Sequence, residues 1–212
     1  MEEVYFYIAY ILVVAYSIIM HEIAHGVAAY KEGDDTAKIS GRITLNPIPH
    51  IDLFGTIILP GVLILMQALS NGAGVVFGWA KPVPVNPLRF RHGVRSDIFV
   101  SMAGIIVNFL LGYMFILLLH IAPEGSMNER LFISAAAINI FLAVFNLVPI
   151  PPLDGSHVFK YLLPRDVRRK YENLGFHGMF LIFIFLMVGR GILSYLFFNV
   201  FFLFMYLGGH GW

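Results

Sequence analysis

The chain has 212 residues, 58% hydrophobic and 13% charged, with a mean hydropathy of +0.79 and a formal net charge of +1. Soluble domains carry about 25% charged residues, so this composition points to an integral membrane protein, and the near-neutral balance gives no basic footprint for nucleic acid. The absence of cysteine excludes disulfides, thiolate metal sites and cysteine nucleophiles, leaving His, Asp and Glu as donors for any metal.

The first apolar run covers residues 4 to 30. Met1-Glu2-Glu3 brings no basic n-region, so the run reads as a retained helix and not a cleaved leader. Inside it stands His21-Glu22-Ile23-Ala24-His25. Residues four apart share one helix face, so both imidazoles can reach one metal ion, with Glu22 beside it as a base. A charged group at this depth costs about 2.5 to 3.5 kcal/mol on insertion scales, which calls for a metal or a water-filled cavity. At 1.5 Å per residue the metal is expected roughly 8 to 12 Å inside the nearer membrane boundary.

After this run, residues 38 to 46 alternate apolar and polar with period two, which predicts a short strand. Its edge could pair with an unwound substrate by main-chain hydrogen bonds, an ordinary surface hairpin being the plainer alternative. Further apolar runs follow at 53 to 79, 98 to 122, 131 to 153 and 174 to 209. The last carries Gly189-Arg190-Gly191 at its middle, so it is one helix with a snorkelling Arg or two segments joined by a turn.

Basic residues cluster in three connections: Lys31, Lys38 and Arg42; Lys81, Arg89, Arg91 and Arg95; and Arg165, Arg168, Arg169 and Lys170. Arg130 stands alone. If every run crossed, basic loops would fall on both sides, against the positive-inside tendency. The conflict disappears if 53 to 79 is re-entrant, broken at Pro60-Gly61, so that the three basic connections share the cytoplasmic side. A full crossing is the alternative. Neither internal repeats nor a linker divide the chain, which reads as one membrane-embedded domain, 1–212.

Zinc in a hydrolase takes three protein ligands and keeps a fourth position for water. Among carboxylates in apolar sequence Asp154 stands out, because Pro149, Pro151 and Pro152 lead into it and loosen any helix there. Asp52 and His50 are rivals that read better as loop residues.

Three separated segments resemble the site-2 protease family of intramembrane zinc metalloproteases. His21 through Gly26 looks like its zinc helix. Asn146 through Gly155 resembles its N-x-x-P-x-x-x-L-D-G segment, which implicates Asp154 as the third ligand. Ser101 through Asn108 is similar to its middle core helix, with Ile105 where many members have proline. Residues 38 to 56 and Gly78 through Pro87 are similar to segments of a compact bacterial and archaeal branch without PDZ domains.

The resemblance implies an all-α polytopic fold with a core of three helices, at about 4–30, 98–122 and 131–153. Around that core it leaves the short β element, the re-entrant or spanning segment and the C-terminal membrane helix or helices. It implies one Zn²⁺ per chain, with Glu22 taking a proton from the attacking water and passing it to the leaving amine. Asn146, and after it Asn108, are candidates for holding the substrate or its oxyanion, a helix-bridging role being the alternative for both. The implied partners are transmembrane protein substrates and the lipid bilayer, in a prokaryotic cell membrane, with the site nearer the cytoplasmic side. A membrane zinc or proton transporter and an inactive protease-like scaffold are the competing readings, and a transporter has no need of Glu22 as a base.

Overall fold

The computed structural model describes residues 1–70 and 78–210. Helix α1 (Glu2–Lys31) is 30 residues long and places Glu2 and Glu3 in its first turn and Lys31 in its last, matching the helix dipole. It stops at Gly33, where φ is +102°. The Gly33 and Asp34 amides fold back onto the carbonyls of Tyr30 and Ala29, the double closure of a Schellman turn.

The stretch 38–46 is not a strand, and no strand occurs among the described residues. Asp34 accepts the Thr36 amide and opens a short helix, α2 (Thr36–Ile39). Gly41 at φ +64° ends it, with the Gly41 and Arg42 amides returning to Lys38 and Ala37. The apparent alternation is thus a helix end followed by turns, and the glycine that looked like one polar position of a strand is the left-handed residue just past the C-cap, Ser40.

Beyond a 3-10 turn at Ile48–His50, the Asp52 side chain caps a wide π turn, Leu53–Ile58, that runs into α3 (Leu59–Ser70). Pro60 has no amide to return to Gly55, five residues back, so the Gly55 carbonyl is left over in this wide turn. The Trp79 amide donates to it at 3.1 Å. Residues 71–77 of the run expected at 53 to 79 lie outside the described residues.

Helix α4 (Val94–Leu118) passes through the middle of the molecule, packed between α1 and α5 (Met127–Asn146). Ser126 accepts the Glu129 amide while the Glu129 carboxylate accepts from Gly125, a reciprocal cap that starts α5. The run expected at 131 to 153 ends as a helix at Asn146, because the prolines beyond remove the donors that would continue it. Helices α6 (Asp154–Phe159) and α7 (Arg165–Asn173) follow. The final run is two helices, α8 (Gly178–Val188) and α9 (Arg190–Leu207), meeting at Gly189.

Among the described residues four helices are long and apolar enough to cross a membrane: α1, α4 with its 3-10 extension to Ile121, α5 and α9. Arg130 pairs with Glu3 at 2.7 Å, so α1 and α5 begin at one end of the bundle. At the other end Arg91 donates its amide to the Glu32 carbonyl and Ser96 donates to the Glu32 carboxylate. The long stretch from 32 to 96 therefore begins and finishes together. Between helices, the buried Asn139 amide donates to Ser17 at 2.8 Å, a polar tie from α5 to α1. The largest apolar cluster gathers Ile116, Ile140, Val144, Ile182, Leu193 and Met205 from α4, α5, α8 and α9.

Candidate metal centre

His21 and His25, one turn apart on α1, face Asp154, the first residue of α6. Asp154 Oδ2 lies 3.2 Å from His21 Nε2 and 3.3 Å from His25 Nε2. The two Nε2 atoms are 3.0 Å apart. These three side chains form the one His/Asp/Glu cluster with metal-binding geometry among the described residues.

The tautomers follow from the other ring nitrogens. His21 Nδ1 donates to Asn108 Oδ1 at 2.9 Å, and His25 Nδ1 donates to the Val100 carbonyl at 2.8 Å. Each ring therefore turns an Nε2 lone pair toward the other and toward a carboxylate oxygen. Asp154 Oδ2 is buried and accepts no hydrogen bond. Three lone pairs converging without a donor repel one another unless a cation lies among them. Zn²⁺ holds N and O donors at 2.0–2.1 Å in a tetrahedron, which sets donors about 3.3 to 3.4 Å apart. The observed edges of 3.0, 3.2 and 3.3 Å fit that ion.

Close approach of α4 makes the arrangement possible. A Cβ on Gly104 would stand 2.5 Å from His25 Nε2 and 2.6 Å from His21 Cε1. A Cβ on Gly155 would stand 2.2 Å from the Leu147 carbonyl oxygen, so the turn that brings Asp154 inward admits only glycine there. A second set of contacts holds α6 against α4. Asp97, buried in the first turn of α4, accepts from Tyr161 Oη at 2.6 Å and pairs with Lys160 Nζ at 2.7 Å.

Glu22 sits between the two histidines in sequence, and its Oε2 accepts the Val83 amide at 2.7 Å. Asn108 is fully buried and turned onto His21, and Asn146 donates its side-chain amide to Leu142 in its own helix at 2.9 Å. The rivals lie elsewhere: His50 Nε2 donates to the Thr44 carbonyl, and Asp52 Oδ1 accepts the Gly55 amide. His157 is largely exposed and 3.8 Å from Asp97. Reasoning from the sequence missed Gly104, the Val100 carbonyl and the Val83 amide. Gly104 carried a signal, a small residue four positions before Asn108 on a spanning helix; the two backbone groups carried none.

Comparison with known proteins gives matches at two levels. Residues 120–188 match the family described as Peptidase family M50. YwhC of Bacillus subtilis, a zinc metalloprotease by name only, is 40% identical over 191 residues, covering 86% of this chain and 80% of its own. Rip2 of Mycolicibacterium smegmatis, named in the same way, is 26% identical over 209 residues, covering 94% of this chain and 75% of its own. MJ0611 of Methanocaldococcus jannaschii, also so named, is 40% identical over 62 residues, covering 29% of this chain and 32% of its own. No solved structure matches this chain.

Proposed function

Because the chain belongs to peptidase family M50, the site-2 protease family, we propose that it is a zinc-dependent intramembrane endopeptidase that hydrolyses peptide bonds in or near transmembrane helices of membrane protein substrates. The observation that carries this reading is the convergence of three donorless atoms, His21 Nε2, His25 Nε2 and Asp154 Oδ2, between helices long enough to cross a bilayer. These three residues would hold one Zn²⁺ per chain. A zinc ion so held supplies Lewis acidity, making water acidic enough to deprotonate near neutral pH and polarising the substrate carbonyl.

The chain's own residues do the rest. Glu22 Oε2 is bonded to Val83, which leaves Oε1 to take the proton of the attacking water and return it to the leaving amine. Asn108 orients His21 and so acts through the ligand. Asn146 would hold the unwound substrate after its amide leaves Leu142. The substrate's scissile bonds are hidden in its own helical hydrogen bonds, so substrates with small or helix-breaking residues near the cut are preferred.

The site lies toward the end of the bundle where Glu32, Arg91 and Ser96 meet. That end carries the basic connections and is assigned to the cytoplasm. The meeting of 32 with 96, and of Gly55 with Trp79, supports a re-entrant segment across 53 to 79. The organisms of the relatives support a prokaryotic cell membrane.

The test is co-expression with a panel of tagged single-span proteins, comparing wild type with Glu22→Gln. Cleavage should be lost in the variant while purified protein keeps one zinc. Equal cleavage by both removes Glu22 from the chemistry, and a zinc-replete wild type that cleaves nothing while moving zinc across vesicles would favour transport.

A further inference from the structure

Glu22 is held by a segment far away in sequence, and that segment is built to stand in one register. Residues 78–86 form neither helix nor strand and run along the last turns of α1. The amides of alternate residues all point inward: Trp79 to the Gly55 carbonyl, Lys81 to the His50 carbonyl at 2.9 Å, and Val83 to Glu22 Oε2. Val83 is flanked on both sides by prolines, Pro82 and Pro84, which have no amide. A slip of one residue in either direction would thus face Glu22 with a proline and no donor. Small residues on α1 let the segment lie close. Val83 meets Gly26, where a Cβ would stand 3.2 Å from Val83 Cγ1, and Val85 packs on Ala28 and Ala29.

One side chain clamps this strap at its centre. Arg42 is 6% exposed and donates Nη2 to the Lys81 carbonyl at 2.5 Å, while its Nε has no partner among the described residues. No carboxylate pairs with it among the described ion pairs. A buried guanidinium spent on one carbonyl is costly, and replacing such a charge with an apolar chain of similar volume is often neutral or stabilising. Stability is therefore a poor account of Arg42. What it fixes is the peptide two residues from the amide that binds Glu22.

We propose that Arg42 is a positioning residue for the Glu22 base: by fixing the Lys81 carbonyl it presents the Val83 amide to Glu22 Oε2 and holds Oε1 in the orientation that receives the proton. This rests on the reading of Glu22 as a general base, and the contact itself can be tested without it. The same geometry argues against strand addition of substrate on this strap, since Pro82 and Pro84 remove two successive donors from its outward edge.

The experiment uses the full chain in detergent and in vesicles, with Arg42→Met, Arg42→Lys, Glu22→Ala and Glu22→Gln. Hydrogen exchange of the peptide spanning 79–86 is read first. Glu22→Ala and Arg42→Met should each speed exchange about tenfold, because each removes one end of the relay. Unchanged exchange in either variant overturns the proposal whatever the fate of activity. Cleavage is read second: Arg42→Met should lower kcat about a hundredfold with KM and zinc content unchanged, the effect of a small misplacement of a catalytic group. Arg42→Lys, which can still reach the Lys81 carbonyl, should recover part of that loss. Loss of zinc along with kcat, or wild-type kcat in Arg42→Met, overturns the positioning role and leaves the protease reading standing on Glu22→Gln. Cleavage surviving in Glu22→Gln would instead remove Glu22 from the chemistry and the positioning role with it, with the exchange result still deciding whether the relay exists.

Discussion

Gly104 on α4 approaches His25 so closely that an added Cβ would lie 2.5 Å from Nε2, well inside van der Waals contact. The helix pair is thus spaced by the absence of one side chain, and the imidazole rings of His21 and His25 occupy the room it leaves. Gly104→Ala is expected to push α4 and the histidines apart, costing about 1–3 kcal/mol as an overpacked contact. Zinc retained after dialysis should fall sharply, measured by metal analysis of purified protein. Gly61→Ala, where nothing lies within 4 Å of the added atom, is the matched control and should keep its metal.

Asn108 supplies the acceptor that fixes the His21 tautomer. Outer partners of this kind orient the ligand and typically change metal affinity by about 10- to 100-fold when lost. Asn108→Ala should weaken zinc binding within that range, read by competition with a chromophoric chelator. Asn108→Asp keeps an oxygen at the same place and should bind more tightly than Asn108→Ala. Equal affinities for the two variants would show that the Oδ1 contact does not set the ring.

How much of this was legible depends on whether side-chain identity or backbone placement carries the information. His21, Glu22 and His25 are readable because a spacing of four on a helix fixes their common face whatever surrounds them. Asp154 is more than a hundred residues away, so nothing local ties it to the histidines; family resemblance pointed to it, and the structure brings it within 3.3 Å. Residues 38 to 46 failed as a strand because periodicity over so short a stretch cannot see that Gly41 takes φ +64°. The break at Gly189 was one of two readings the sequence left open, and the end of α5 at Asn146 was missed, since the run from 131 to 153 stays apolar through the prolines that stop the helix. The Val83 amide and Val100 carbonyl were invisible in principle, since every residue but proline has the same two groups.

Asp97 links the start of α4 to the chain just beyond α6, and through α6 to Asp154. Its carboxylate takes Lys160 Nζ and Tyr161 Oη together, and the Lys160 side chain is only 15% exposed. Asp97→Ala leaves that ammonium buried without a counter-charge, a loss of about 3–5 kcal/mol for a broken buried pair. Thermal unfolding of the metal-free protein should register it as a clear drop in Tm. The double variant Asp97→Ala with Lys160→Met removes both charges and should recover much of the loss, while a drop as large in the double variant would locate the defect in the Tyr161 bond.

Asp34 ties the strap to the end of α1 and gives the acid dependence of that tie a definite sign. The residue is fully buried, and its carboxylate accepts the Asn86 amide at 2.6 Å together with the amide and hydroxyl of Thr36. Burial alone would push its pKa up, but the Asn86 and Thr36 donors and the nearby Arg89 charge outweigh it and hold the carboxyl below its ordinary value. A carboxyl depressed in the folded state contributes stability that is fully present above its unfolded pKa, about 3.9, and is lost as pH falls through the folded one. The strap should therefore stay tied throughout pH 5 to 8 (about the neutral range) and loosen only in stronger acid. Limited proteolysis of the 78–93 connection, run as a pH series with an acid-tolerant protease, should show cutting only at the acid end. Asp34→Asn keeps the shape but lacks the charge, so its connection should be cut to the same extent at every pH.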